Sequence, residues 1–395
     1  MSVTLIGILL AIVLVGVTDI DKSSMLTRGD FPGFYGPAWM VWNGLGSELY
    51  NFNVQGQIQN RFWPSFGGAF YISVYPPHLA ILISPLAALS DQSAKLVATL
   101  TMLFCAMGAV LTTIKLRSPP PTTPLMWLGI CFTFAPLTVA VLSAQNTGLT
   151  MLLLALATKA ALHGGKRGAR WAGLWLGLLL YKPQFSIVAT AFMSVVLGGA
   201  VLTSWSLVAV VAYGIAVPFL GWDWPLNWFE AGRRFGAINQ QINDHNFVSV
   251  EALSQLILSP FGVPIEAIRV LGWGITLALV LAITTRLYTL RSCQDQNTRR
   301  YGFALLLSSL PLIFPQTLFY DLGITLLAAL LVLFLDSTRP HTDQKGWWLV
   351  GLLALTAVVT MVRDLIQLPL LALVSLVVLV MAWRHSTPPP KEGSL

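Results

Sequence analysis

A few side chains able to do chemistry stand isolated among apolar residues. Asp30 lies in "TRGDFPGFYGPAWMVWNG", residues 27 to 44, between Gly29 and a run of aromatic, glycine and proline residues. A carboxylate there has two uses. It can cap the short helix that the following residues predict, or, partly desolvated among rings, it can hold a pKa high enough to take a proton from a hydroxyl near neutral pH. Asp19 and Asp21 upstream read as ordinary exits from an apolar helix. Lys182, in "LLLYKPQF", closes another apolar stretch at a Lys-Pro break. A lysine deep in a bilayer costs roughly 2.5 to 3.5 kcal/mol unless it snorkels to the interface, so Lys182 is either an anchor or a counter-ion for a phosphate. "SAQNTGL" (143–149) puts Gln145 and Asn146 in a tight turn, "NDHNFVSVEAL" (243–253) offers His245, Asn246 and Ser249, and "FPQTLFYDLG" (314–323) sets Gln316, Tyr320 and Asp321 at a helix break. For each of these, turn formation and capping compete with substrate contact.

The elements that position these residues are membrane helices. Of the 395 residues, 55% are hydrophobic and 10% charged, against roughly 25% charged in a soluble domain. The expected fold is therefore an all-α polytopic membrane protein, with residues 1–395 forming one integral membrane domain. The 14 tryptophans and 9 tyrosines suit aromatic belts at both interfaces. Apolar runs bounded by charges, prolines and Gly-rich turns predict about twelve crossings. They lie near 3–18, 94–114, 125–143, 147–163, 169–182, 184–203, 205–221, 266–290, 301–316, 320–336, 346–362 and 365–383. The first lacks the basic n-region and cleavage site of a signal peptide and reads as an uncleaved helix.

Lysine and arginine in short loops mark the cytoplasmic side. The groups Lys115 with Arg117, Lys159 to Arg170, Arg286 to Arg300, Arg339 with Lys345, and Arg384 with Lys391 all face inward if both termini are cytoplasmic. Residues 75–93, "YPPHLAILISPLAALSDQS", carry three prolines, and an apolar stretch of about 14 residues is short for a crossing. They read as a broken half-helix on the outer face. That face then holds a first loop, 19–76, with interfacial helices, a second loop, 222–265, and the tight turns bearing Gln145, Lys182 and Gln316. The reactive residues thus gather on one side of the membrane. The tail 385–395, "HSTPPPKEGSL" from residue 385, reads as disordered.

Several classes are excluded. Cys105, Cys131 and Cys293 have no C-x-x-C spacing, which argues against disulfide and metal alike. There is no phosphate-binding glycine loop, no H-E-x-x-H and no G-x-S-x-G. No water-exposed basic segment is available for nucleic acid, and no cofactor or metal is expected.

In order along the chain come a carboxylate after the first helix, an aromatic Gly-rich stretch ending in "NGLGSELYN", then "YPPHLAILISPLAAL", "QNTGLTMLLLALA" and "GLWLGLLLYKPQF". This arrangement resembles the GT-C glycosyltransferases, specifically glycosyltransferase family 87. That family includes polyprenyl-phosphate-mannose-dependent mannosyltransferases. The resemblance covers residues 28 to 190 well and the remainder through "HNFVS" and "FPQTLFYDL". It places the family's essential acidic residue on Asp30. Where the family usually has Gly-Gln-x-Asn, this chain has Ala144-Gln145-Asn146.

The resemblance implies an inverting, extracytoplasmic sugar transfer in the inner (plasma) membrane, from a polyprenyl-phosphate-linked donor to a lipid or glycan acceptor. Asp30 would be the general base. Tyr35, Arg61, Tyr75, His78, Gln145, Asn146, Lys182, His245, Asn246, Gln316 and Tyr320 are the candidate substrate contacts, with Lys182, Arg61, His78 and His245 available to balance phosphate charge. Two other readings stay open: a transporter or flippase of a lipid-linked glycan, and a non-catalytic envelope-assembly protein.

Overall fold

The computed structural model describes residues 29–116, 124–333, 356 and 370–386. The expected crossings at 3–18 and 346–362, the aspartates 19 and 21, Arg28 and most of the 385–395 tail lie outside them. Among the described residues every regular element is a helix, apart from one isolated bridge between Phe247 and Leu318.

Among the described residues, three short α-helices precede the first long one. α1 (Phe31–Trp42) has a proline in its first turn, where a missing N–H costs nothing. α2 (Phe52–Phe62) is capped by Asn51, whose side chain accepts from the Asn53 N–H. α3 (Pro77–Ile83) runs into a 3-10 turn (Ser84–Ala88). The segment 75–93 therefore contains no continuous spanning helix. Chain order continues with α4 (Asp91–Ile114), α5 (Pro124–Cys131), α6 (Ala135–Leu142), α7 (Thr147–His163), α8 (Gly165–Leu178), α9 (Pro183–Leu197) and α10 (Ala200–Leu220). α11 (Trp224–Asn243), α12 (Val250–Leu258), α13 (Ile265–Thr289), α14 (Gln296–Ile313), α15 (Gly323–Leu333) and α16 (Ala372–His385) follow.

Among the described residues, α4, α10 and α13 are long and apolar enough to cross a membrane, and the pair α6 and α7, bent by 120°, adds a fourth if it counts as one span. The stretch 125–143 differs from the single helix its hydropathy predicts. Pro136 starts α6 afresh after a turn at Phe132–Phe134, leaving two helices of 8 residues, each about 12 Å long. The apolar pattern reported burial there but not continuity.

Packing explains how so apolar a chain forms defined breaks. α4 lies along α7, α8 packs against α7 and α10, and α14 against α15 and α16. At the α8–α10 contact, Gly173 and Gly177 stand one turn apart. A Cβ on Gly177 would come within 2.6 Å of the Val208 Cβ, and one on Gly173 would strike the Val201 carbonyl. Small residues at this spacing let two helices approach closely where lipid leaves no hydrophobic drive between them. On their outer sides α10 and α13 expose Leu207, Val210, Val270 and Leu277, a surface suited to acyl chains.

Candidate active site

Four chain breaks converge. Asp30 stands just before α1, Gln145 and Asn146 between α6 and α7, Lys182 between α8 and α9, and Asp321 between α14 and α15. Each break has a local cause. Pro183 at the start of α9 cannot donate a backbone hydrogen bond, so α8 closes through a 3-10 turn (Leu179–Tyr181) and the chain restarts after Lys182. Pro311 lies inside the last turn of α14, Pro315 follows just after its end, and Asp321 then sits in a 3-10 turn (Phe319–Leu322).

At the centre, Lys182 Nζ lies 2.6 Å from Asp321 Oδ1, with only 3% and 7% of the two side chains exposed. Thr147 Oγ1 donates to the same oxygen at 2.9 Å. The ammonium also lies 5.7 Å from the Phe185 ring centroid. Lys182 is thus neither a snorkelling anchor nor a free cation. Its charge is already compensated, and the cost of taking it and Asp321 from water is offset, among the described residues, by this short bond, the Thr147 hydroxyl and the Phe185 ring.

At Asp30 the structure speaks against one of the two uses that the sequence leaves open, the helix cap. Although it occupies the position preceding α1, its side chain makes no capping bond. The carboxylate instead accepts from the Tyr320 hydroxyl, beside Lys182 and Asp321. Loss of hydration raises its pKa from 3.8 to about 6, against the lowering effects of the Tyr320 bond and the Lys182 charge. The sign for folding follows. A carboxyl whose pKa is raised on folding favours the folded state while protonated, so this contribution is full below about pH 4 and is lost as pH rises through about 6. Asp30 is thus held where ionisation costs stability.

The turn before α7 bears on the same site. Ala144 has φ +52°, in the left-handed region that glycine occupies freely. A Cβ on Gly29, beside Asp30, would fall 2.6 Å from Ser143, so the two turns touch. Replacing Ala144 with glycine removes a left-handed strain of about 1 kcal/mol, partly offset by glycine's larger loss of freedom on folding. The expected result is equal or higher thermal stability of Ala144→Gly in detergent. A clear fall in melting temperature would show that the Ala144 methyl contributes packing that outweighs the strain.

The other candidate contacts divide. Tyr75 packs its ring against Phe34, 5.2 Å between centroids, and its hydroxyl faces the Asn146 amide. Neither polar atom of that amide completes a well-formed hydrogen bond, nor does Gln145 Oε1. Buried and unsatisfied, these groups are poised to accept a polar ligand. Tyr320 touches Asp30 directly. Tyr35 is instead part of an aromatic cluster with Phe31, Trp63 and Phe66, and its hydroxyl donates to the Leu89 carbonyl at 3.1 Å. Arg61 lies over the Trp39 ring at 5.5 Å and lines a shallow groove with Asn53, Gln57 and Phe70.

His78 has both ring nitrogens buried without partners, and burial lowers its pKa to about 4. It is neutral at physiological pH and cannot balance a phosphate. Gln316 fastens the chain: its amide donates to the Gly236 carbonyl at 2.7 Å and its oxygen accepts from Asn239 at 3.1 Å. Ser249 caps α12 and donates to the Pro315 carbonyl. His245 stands 3.5 Å from Asp244 and within 3.0 Å of the Asn246 amide. The Ser249 bond, with that from the Val248 N–H to the Thr317 carbonyl, ties the 243–249 stretch to the 314–318 break.

Two features escape the sequence reading. Thr147 gives no signal that it meets Asp321, 174 residues away. Arg269 and Glu251 face each other in a second pocket, Nε to Oε1 3.7 Å. Arg269 had a signal: it is a charge inside the predicted crossing 266–290.

The family model described as glycosyltransferase family 87 matches residues 74–315, more than half of the chain. No curated protein and no solved structure matches it.

Proposed function

The chain belongs to glycosyltransferase family 87, and from that premise we propose that it transfers a sugar from a polyprenyl-phosphate donor to a lipid or glycan acceptor on the extracytoplasmic face. It is a membrane-embedded glycosyltransferase. Mannose as the sugar, twelve crossings with both termini inside, and interfacial helices in the first outer loop are the finer parts of this reading. They rest on the motifs and on the distribution of basic loops.

The observation that carries it is Asp30: a carboxylate at the edge of the bundle, unused as a cap, hydrogen-bonded to Tyr320 and poised near neutrality. In the transfer, an acceptor hydroxyl attacks the anomeric carbon. Asp30 takes the hydroxyl proton as the new C–O bond forms, and the bond from the anomeric carbon to the phosphate oxygen breaks with its electron pair on the leaving lipid phosphate. Attack opposite the leaving group inverts configuration. Tyr75, Asn146 and Gln145 supply hydroxyl and amide groups for the sugar beside the base. Tyr320 fixes the carboxylate's orientation.

The test is transfer of radiolabelled mannose by the purified protein from mannosyl polyprenyl phosphate, across pH. Transfer should rise about tenfold per unit below an apparent pKa of about 6 and level off above it. Absence of transfer from every polyprenyl-phosphate sugar would refute the donor class. A rate that does not change between about pH 5 and 8 would remove Asp30 as the base.

A further inference from the structure

A departing phosphate needs positive charge, and among the described residues the buried cation beside Asp30, Lys182, is already bound to Asp321. The adjoining pocket is different. It has a volume of about 460 Å³ and is lined by Gln184, Gln240, Glu251, Arg269, Trp273 and Gln316 among others. Gln184 is two residues from Lys182 and Gln316 belongs to the break that carries Asp321. Phe314, on the pocket wall, meets the Phe185 ring at 6.1 Å between centroids. The pocket and the catalytic breaks therefore share a wall.

Arg269 is on the first turns of α13. Its Nε is buried and makes no hydrogen bond, because the Glu251 carboxylate stops at 3.7 Å. Burial makes Glu251 easier to protonate than an ordinary glutamate, against the Arg269 charge and a hydrogen bond with Gln240, and at 3.7 Å it holds the guanidinium loosely. Below Arg269, α13 exposes Val270, Trp273, Leu277 and Leu281. These recur three or four residues apart, on one side of a helix apolar enough to cross the bilayer. An anion-seeking fork at the head of a lipid-facing apolar stripe fits a ligand with a phosphate at one end and a long hydrocarbon chain at the other.

We propose that this pocket is the binding site for the phosphate of a membrane-embedded polyprenyl phosphate, with Arg269 as its counter-ion and the α13 stripe carrying the first isoprene units. Glu251 is the placeholder that the phosphate displaces, which frees the Gln240 amide from it, and Gln184 and Gln240 line the pocket for the remaining oxygens. The inference rests on the donor class proposed above. It moves the phosphate contact from Lys182, where the sequence puts it, to a residue on a different helix.

The test is direct binding of undecaprenyl phosphate to the full-length protein in detergent, with farnesyl phosphate, farnesol and inorganic phosphate as separate arms. Arg269→Ala should weaken both lipid phosphates roughly tenfold to a hundredfold, as loss of a charged hydrogen-bonding partner does. Arg269→Lys should fall between, because it keeps charge without the fork. Glu251→Gln should tighten binding about threefold by removing the competing carboxylate, a gain that a misfolded variant cannot mimic. Farnesol and inorganic phosphate should each bind at least about tenfold more weakly than farnesyl phosphate, since each lacks one end of the ligand.

Unchanged binding by Arg269→Ala, weaker binding by Glu251→Gln, or equal binding of free phosphate would overturn the site. If the wild-type protein binds undecaprenyl phosphate and Arg269→Ala does not differ from it, only this assignment fails. If the wild-type protein binds no polyprenyl phosphate at all, the donor class fails with it.

Discussion

Asp30→Asn lowers sugar transfer by about 10² to 10⁴ while the protein expresses and folds as before. The asparagine keeps the size of the side chain and an oxygen that accepts from Tyr320, but it cannot take a proton. The same variant separates a base from a cap through stability. Loss of a capping carboxylate weakens a helix, whereas asparagine here removes a charge that folding has stripped of water and that makes no capping bond. The melting temperature of Asp30→Asn should therefore equal or exceed that of the wild type at pH 8, with the difference shrinking toward pH 4, where Asp30 is protonated in both folded and unfolded chains. Wild-type turnover by Asp30→Asn would return the search for a base to Asp19, Asp21, Asp244 and Asp321.

The second large effect is at the buried pair. Lys182→Ala leaves the Asp321 carboxylate with only the Thr147 hydroxyl, and Asp321→Asn leaves an uncompensated ammonium. Removing one partner of a buried ion pair typically costs about 3 to 5 kcal/mol. Both single variants should melt well below the wild type, and transfer should fall more than tenfold, because the Lys182 and Asp321 breaks frame the Asp30 carboxylate. The double variant Lys182→Met with Asp321→Leu should recover most of the lost stability, since paired hydrophobic replacements are often neutral. It should not recover transfer. A double variant no more stable than the singles would show that the pair supports the breaks through more than mutual neutralisation, and a fully active one would detach both residues from the reaction.

The structure redistributes work among residues that the sequence had already singled out. Asp30, Tyr75, Asn146 and Tyr320 remain around one point. His78 and Gln316 do not serve as the sequence suggests: the first is buried and neutral, and the second is consumed in tying α11 to the break after α14. An imidazole's usefulness as a cation depends on its hydration, and an amide's availability depends on which carbonyls lie within 3 Å of it. Neither is a property of the tetrads and turns in which these residues appear.

What the sequence by itself determined is local. Runs of apolar residues impose helices that belong in lipid, because unpaired backbone groups cannot be tolerated there. Prolines at 183 and 315 and the polar cluster at 143–146 interrupt those helices. The close sequence match of α4, α10 and α13 to the crossings expected at 94–114, 205–221 and 266–290 follows from that locality, as does the placing of a carboxylate just before α1.

The tertiary structure alone decided which breaks meet. Lys182 reaches Asp321 across 139 residues of chain and Thr147 reaches it across 174, and Arg269 meets Glu251 between two helices whose individual patterns are indifferent to the contact. A helix's hydrophobic pattern states that it is buried without stating against what, and in α8 and α10 the choice is made by glycines that let two backbones touch. The partner of the Asp30 carboxylate, the Tyr320 hydroxyl, comes in turn from a distant break, and the carboxylate's affinity for a proton is set by how far that assembly excludes water.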